Sequence, residues 1–143
     1  MLVSAILEAK GSAVATVPRT ATIGTAVAEL VRHRVGALVV SPGDGTIDGI
    51  VSERDIVRCL SELHGDVLAQ PVHSVMSTSV HGCTPDDTVD SLMNLMTEQR
   101  IRHVPVVADG RLCGIISIGD VVKSRMGELE KDRNELMEYI TAR

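Results

Sequence analysis

Two short stretches of the chain carry the residues best suited to chemistry. Gly49–Arg58 reads GIVSERDIVR, and 65 residues later Gly114–Lys123 reads GIISIGDVVK. Each holds a serine and, three positions on, an aspartate: Ser52 with Asp55, and Ser117 with Asp120. Where an apolar strand feeds a helix, Ser-x-x-Asp has two uses. As a capping box, the Ser hydroxyl accepts from the amide at the third helical position, and the acid reaches back. As a ligand seat, the open amides and positive end of the helix attract phosphate. An Asp one turn in can then accept both hydroxyls of a ribose, each charge-assisted bond being worth about 1.5–3 kcal/mol. Ribose and phosphate together describe a nucleotide. The local pattern is compatible with either use.

The elements that must position these pairs are themselves duplicated. Sliding the chain by 66 residues aligns VPRTATIGTAVAELVRHRVGALVV with CTPDDTVDSLMNLMTEQRIRHVPV. Thr22 is placed to cap a helix with apolar positions Ile23, Ala26, Val27, Leu30 and Val31; Thr88 precedes Val89, Leu92, Met93 and Met96. Both follow the spacing of an amphipathic helix with one buried stripe. A short apolar strand follows, 36–40 or 103–107, and then a tight hairpin turn at Asp44–Gly45 or Asp109–Gly110. A second strand runs into the repeated phrase. The lead-ins are also echoed, Val3–Leu7 (VSAIL) by Val72–Met76 (VHSVM).

Each unit therefore reads β-α-β-β-α over roughly 55–60 residues, too little to bury much core alone. Two units packed sheet against sheet with pseudo-two-fold symmetry remove that problem, an α/β (α+β) architecture. The expected division is 1–66 for the first repeat, 67–126 for the second and 127–143 for an amphipathic C-terminal helix. The connector HGDVLAQP ends at Pro71, and Leu129, Leu136, Met137 and Ile140 fall near one face of the last helix.

Composition narrows the function. Net charge is −5, there is no Trp or Phe, and Tyr139 is the only Tyr. Nucleic-acid binding needs a basic face or aromatic platforms, and neither is present. A purine bound here must lie between aliphatic side chains. No apolar run reaches the roughly 18 residues that cross a bilayer, and MLVSAILEAKG lacks the basic start of a signal peptide. Cys59, Cys83 and Cys113 form no CxxC pair, which fits a reduced, cytoplasmic setting.

Metal and catalysis find little support. His33, His64, His73, His81 and His103 are scattered, and His81-Gly-Cys83 is the closest His–Cys pairing. No zinc spacing, nucleophile elbow, HExxH or P-loop lysine occurs. Asp86, Asp87 and Asp90 sit at a helix start, where the dipole favours acids.

The doubled Gly-Ile-x-Ser-x-x-Asp, with GALVV echoed by RHVPV, resembles a tandem cystathionine-β-synthase (CBS) domain pair, or Bateman module, over roughly residues 2–126. LMTEQRIRHVPVV followed by GRLCGIISIGDVVKSR is especially similar to small standalone CBS-pair proteins. The resemblance implies a disc-like homodimer and two clefts per pair for adenosine compounds: AMP first, then ADP, ATP, NAD(H) or S-adenosylmethionine. One cleft would use Ser52, Arg54 and Asp55, with His103 reaching from the other unit toward phosphate. The second would use Ser117 and Asp120, with Arg102 as its phosphate partner. Adenine would lie among Val17, Ile50, Ile101 or Ile115. Lys10 is either a further cation of a cleft or a solvated lysine.

The copies differ, since Arg54 corresponds to Gly119 and Arg102 to Gly36. Unequal affinities are expected. The function expected is a non-catalytic adenine-nucleotide sensor that signals to a partner protein. The alternatives are a dimerising scaffold with vestigial clefts, in which Ser-x-x-Asp only caps, and a detached regulatory piece of a separate enzyme.

Overall fold

The computed structural model describes residues 1–62 and 65–142. His64, one of the five histidines above and the first residue of the connector, lies outside the described residues with Leu63 and Arg143. The chain opens with helix α1 (Val3–Lys10), ahead of strand β1 (Thr16–Val17). The first unit continues through α2 (Ile23–His33), β2 (Ala37–Val40), β3 (Gly49–Ser52) and α3 (Glu53–Glu62). Two 3-10 turns, Val67–Ala69 and Val72–Ser74, lead to α4 (Val89–Gln99), β4 (His103–Ala108), β5 (Arg111–Ser117) and α5 (Ile118–Thr141).

The duplication holds at the level of backbone geometry. In the first sheet β1 runs parallel to β2 and β2 antiparallel to β3; β4 and β5 form the second, antiparallel. Ala37 pairs with Ser52, and its counterpart His103 pairs with Ser117. Thr22 and Thr88 cap α2 and α4, each hydroxyl accepting an amide three residues on at 3.1 Å. Both helices end on an arginine in the left-handed region, Arg34 at φ 55° and Arg100 at φ 54°.

Three expectations change. The opening strand of the second unit is reduced to one parallel bridge, Cys83 with Val106. The turn at Asp109–Gly110 is a two-residue hairpin with positive φ at both positions, as a type I′ turn requires. That around Asp44–Gly45 is instead a loop over 41–48, because pairing stops at Val40 with Gly49 and Asp44 turns its carboxylate onto the Thr46 amide. Finally, the helix expected at 127–143 is the continuation of α5, which passes through Gly127 without a break.

Each unit has its own apolar core. Ile23, Ala26, Leu30, Leu38, Val51 and Ile56 close the first; Val89, Leu92, Met96, Val104, Ile116 and Val121 close the second. Not every residue of the predicted stripes is buried, and Val31 is 73% exposed. The lead-ins cross over. Val3 and Ile6 of α1 are buried in the second core, whereas Val67 and Val72 are buried in the first. Backbone bonds fix the exchange: Val3 N donates to Asp87 O at 2.9 Å, and Val72 N to Ala21 O at 2.7 Å. Each unit thus completes its core with a segment that precedes the other.

The crossing explains why both copies of the repeated phrase start with glycine. A Cβ on Gly49 would lie 2.6 Å from Ser77 O and 2.9 Å from Met76 Sδ. A Cβ on Gly114 would lie 2.5 Å from Leu7 Cδ2. Met76 and Leu7 occupy matching places in the two lead-ins, so each glycine is the floor on which a crossed segment rests.

Candidate functional site

Asp55 stands at the first turn of α3 because β3 delivers its last residue, Ser52, directly into the helix. Ser52 Oγ accepts from the Asp55 amide at 3.2 Å, while Asp55 Oδ2 accepts from the Ser52 amide and hydroxyl, both at 2.9 Å. Arg58 holds the other carboxylate oxygen at 2.5 Å. In the second copy, the Asp120 amide donates to Ser117 Oγ at 3.2 Å and the Ser117 amide to Asp120 Oδ2 at 2.9 Å. Both phrases are therefore capping boxes, and both present a carboxylate at a strand–helix junction.

Asp55 opens onto a cavity of about 350 Å³. Four segments meet there. The end of β3 and start of α3 supply Ile50, Ser52, Glu53, Arg54 and Asp55; the loop after α4 supplies Arg100, Ile101 and Arg102, and the first residue of β4 is His103. Gly36 and Ala37 line a third side, and Ser77, Ser79, Val80 and His81 a fourth. The fourth side exists because the second unit's lead-in pairs onto β3, Ile50 and Ser77 exchanging backbone bonds at 2.8 and 2.9 Å. A second cavity of about 320 Å³ adjoins the first and shares Arg54, Arg100, Ile101 and Arg102 with it.

The expected first-cleft residues Ser52, Arg54, Asp55 and His103 are brought together, with Ile50 and Ile101 as apolar walls. Arg102, expected on the Asp120 side, lines this same cavity. Arg102 precedes β4 and its carbonyl accepts from Ile118 N at 2.8 Å, which ties its backbone to the start of α5, two residues before Asp120. Val17, expected near the base, is 3% exposed and packed inside the first core, since β1 turns Val17 inward and Thr16 outward. Arg58, Arg100 and His81 are not among the residues expected in a cleft; His81 stood out only for its spacing from Cys83. Arg58, at i+3 from Asp55, carries a helix-pair signal; nothing local marks Arg100 or His81, which long-range packing delivers.

Around Asp120 the geometry differs. Lys10 Nζ donates to Asp120 Oδ2 at 2.6 Å and to the Ile115 carbonyl at 2.9 Å. Partial burial works against ionisation of Asp120, but the Lys10 ammonium and the Ser117 amide and hydroxyl outweigh it and hold the carboxyl below its ordinary range. Lys10 is thus a partly solvated partner of the second carboxylate.

His103 stands between the two carboxylate sites. A Cβ on Gly36 would lie 3.3 Å from both His103 Cε1 and Glu53 Oε1, so the missing side chain at 36 is what admits the imidazole. Burial lowers the His103 pKa; Lys10 and Arg102 act in the same sense, against Glu53 and Asp120. The ring is neutral at pH 7. Among the described residues no group of three or more His, Cys, Asp or Glu is placed to hold a metal ion, and no helix is long and apolar enough to cross a membrane. The Cys83 thiol, in the second core, is pushed up to about 12 by burial first and by Asp87 and Cys113 next, which makes it a poor nucleophile.

Known proteins share this arrangement. A family model described as "CBS domain" matches twice, at residues 10–62 and 72–127, so the first lead-in, Val3–Leu7, falls outside the matched repeats and the second, Val72–Met76, opens the second of them. The CBS domain-containing protein CBSX3, mitochondrial, of Arabidopsis thaliana is 37% identical over 83% of this chain, which spans 60% of the plant protein. The crystal structure of the CBS-domain containing protein ATU1752 from Agrobacterium tumefaciens is 45% identical over 87% of this chain and 99% of that one, with a TM-score of 0.84. The CBS domain protein PAE2072 from Pyrobaculum aerophilum, complexed with AMP, is 31% identical over 84% of this chain and 89% of its own, at a TM-score of 0.74. The CBS domain pair of protein MJ0100, solved with 5′-methylthioadenosine and S-adenosyl-L-methionine, is 26% identical over 90% and 98%, at 0.79. Standalone proteins of this kind are typically non-catalytic. The chain belongs to the CBS domain family, as a tandem CBS pair with a C-terminal helix.

Proposed function

We propose that the chain is a non-catalytic adenine-nucleotide sensor that acts as a homodimer in the cytoplasm and signals to a partner protein when ligand changes the arrangement of its units. The observation that carries this reading is Asp55 at the mouth of a cavity of about 350 Å³. Its carboxylate is oriented by Ser52 and Arg58, aliphatic walls lie at Ile50 and Ile101, and arginines stand beyond. That is a ribose acceptor, a slot for a flat base, and cations for phosphate, in that order. AMP bound to PAE2072 and the adenosine compounds bound to MJ0100 support the ligand class. Lys10 is paired with Asp120 as Arg58 is with Asp55, and Asp120 is the weaker site because it lines neither of the two cavities.

The test is thermal unfolding with AMP, ADP, ATP, NAD, NADH and S-adenosylmethionine, beside the Asp55→Ala/Asp120→Ala protein. A ligand at 100 times its Kd adds about 2.7 kcal/mol, a shift of roughly 5–10 °C for a chain of this size. A shift that vanishes in the double variant supports the sensor. One observation favours a scaffold with vestigial clefts: both Ser-x-x-Asp pairs already satisfy each other as caps. Loss of stability in the double variant, with no shift for any compound, selects that reading.

A further inference from the structure

We propose that the first cleft is built for an adenosine ligand with two or more phosphates, the chain of phosphates lying on a wall formed by Arg54, Arg100 and Arg102. This rests on the nucleotide reading above and narrows it, away from a monophosphate and from the cationic S-adenosylmethionine. The three arginines come from separate places, the first turn of α3 and the loop between α4 and β4, yet all three border both cavities. Among the described residues none of them makes an ion pair, which is equally true of Arg19, Arg34, Arg111 and Arg133; what sets the three apart is that they share one wall. Glu53 and Asp55 line the first cavity with them, but in the second the three arginines are the charged residues of the lining. An anion between them there offsets their mutual repulsion.

Helix chemistry accounts for only part of the cluster. A cation is favoured at a helix C-terminus, which suits Arg100 as the cap of α4. It gives no reason for Arg54, at the opposite end of another helix, or for Arg102 in the loop. Guanidinium groups bind phosphate oxygens in pairs, so a wall of three suits more than one phosphate. The direction fits as well. Ribose on Asp55 lies in the first cavity, and a phosphate chain leaving it toward the arginines continues into the second cavity of about 320 Å³. A monophosphate leaves that space unused. A sulfonium with an ammonium group meets the wall with the wrong sign.

Isothermal titration of the full chain with adenosine, AMP, ADP, ATP, S-adenosylmethionine and inorganic tripolyphosphate tests the assignment. The comparison protein is Arg100→Asn/Arg102→Gln; both positions are exposed, and Asn tolerates the left-handed backbone at 100. The expected result is ADP and ATP at least about tenfold tighter than AMP, with S-adenosylmethionine weaker than adenosine. The advantage of ADP over AMP falls to less than about threefold in the variant, while adenosine is unaffected. AMP binding as tightly as ADP and ATP, or a preference that survives in the variant, overturns the inference and leaves the nucleotide reading standing. Tripolyphosphate separates the two. If it binds and the variant loses it while no adenosine compound binds, the nucleoside reading falls and the anion wall remains. If neither tripolyphosphate nor any nucleotide binds, both fall.

Discussion

Lys10 Nζ lies 2.6 Å from Asp120 Oδ2 and 2.9 Å from the Ile115 carbonyl oxygen, across 110 residues of chain. It ties the end of α1 to the start of α5 and occupies the carboxylate that matches Asp55. Both carboxylates carry a cation, Arg58 on Asp55 and Lys10 on Asp120, but of the two only Asp55 lines a described cavity, so the sites are unequal before any ligand arrives.

Replacing Lys10 by Met should free the second site. The wild-type chain is expected to take one equivalent of nucleotide at concentrations that saturate the first cleft; Lys10→Met is expected to take two, measured by calorimetric stoichiometry. The stability cost should be small, about 0.5–1 kcal/mol, because both groups are partly solvated. Its pH dependence has a definite sign. The folded Asp120 pKa lies below the ordinary 3.8, so the pair's contribution is present above that value and is lost as pH falls through the folded one. Acid unfolding below about pH 4 should be shallower in Lys10→Met. An unchanged acid limb would remove the pair from the account.

The two floor glycines should respond unequally. Gly49→Ala drives a Cβ onto the Ser77 carbonyl, which is backbone and cannot step aside; Gly114→Ala meets only the end of the Leu7 side chain. Overpacking costs about 1–3 kcal/mol. Urea unfolding should put Gly49→Ala near the top of that range and Gly114→Ala near the bottom. The reverse order would contradict the crossed packing of the lead-ins.

His103 is neutral in the folded chain because burial, reinforced by Lys10 and Arg102, lowers its pKa from the ordinary 6.5. Unfolding lets the ring take up a proton below that value. Stability should therefore fall as pH drops from 6.5 toward the depressed folded value, and no contribution is expected above it. The slope of chemical-unfolding stability between pH 6.5 and 5 should be smaller in His103→Gln. An identical slope would assign the effect to other groups.

Gly127 sits inside α5 with nothing within 4 Å of where a Cβ would stand. Gly127→Ala should stabilise the helix by about 0.5–1 kcal/mol. The midpoint of thermal unfolding should rise by roughly 2–5 °C. A lower midpoint would mean that α5 needs flexibility at that point.

The sequence by itself determined the repeat, the helix starts at Thr22 and Thr88, the hairpin at Asp109–Gly110 and the placing of each Ser one turn from its Asp. All of these are set by contacts within a few residues, where periodicity, capping and turn chemistry act. It also marked Arg54 and Asp55 as neighbours, because one helical turn carries both. Tertiary structure alone decided the rest. Val3 and Val72 each fill the core of the other unit, and no local pattern says which apolar face is still uncovered. That crossing brings His81 to the first cleft and Lys10 to Asp120. Arg102 and Gly36 are equivalent in the chain, yet one is an arginine on a wall and the other an opening for His103. Which side chain meets which carboxylate depends on contacts scores of residues apart. Those are fixed by where apolar surface must be buried, not by the spacing of the residues that bind.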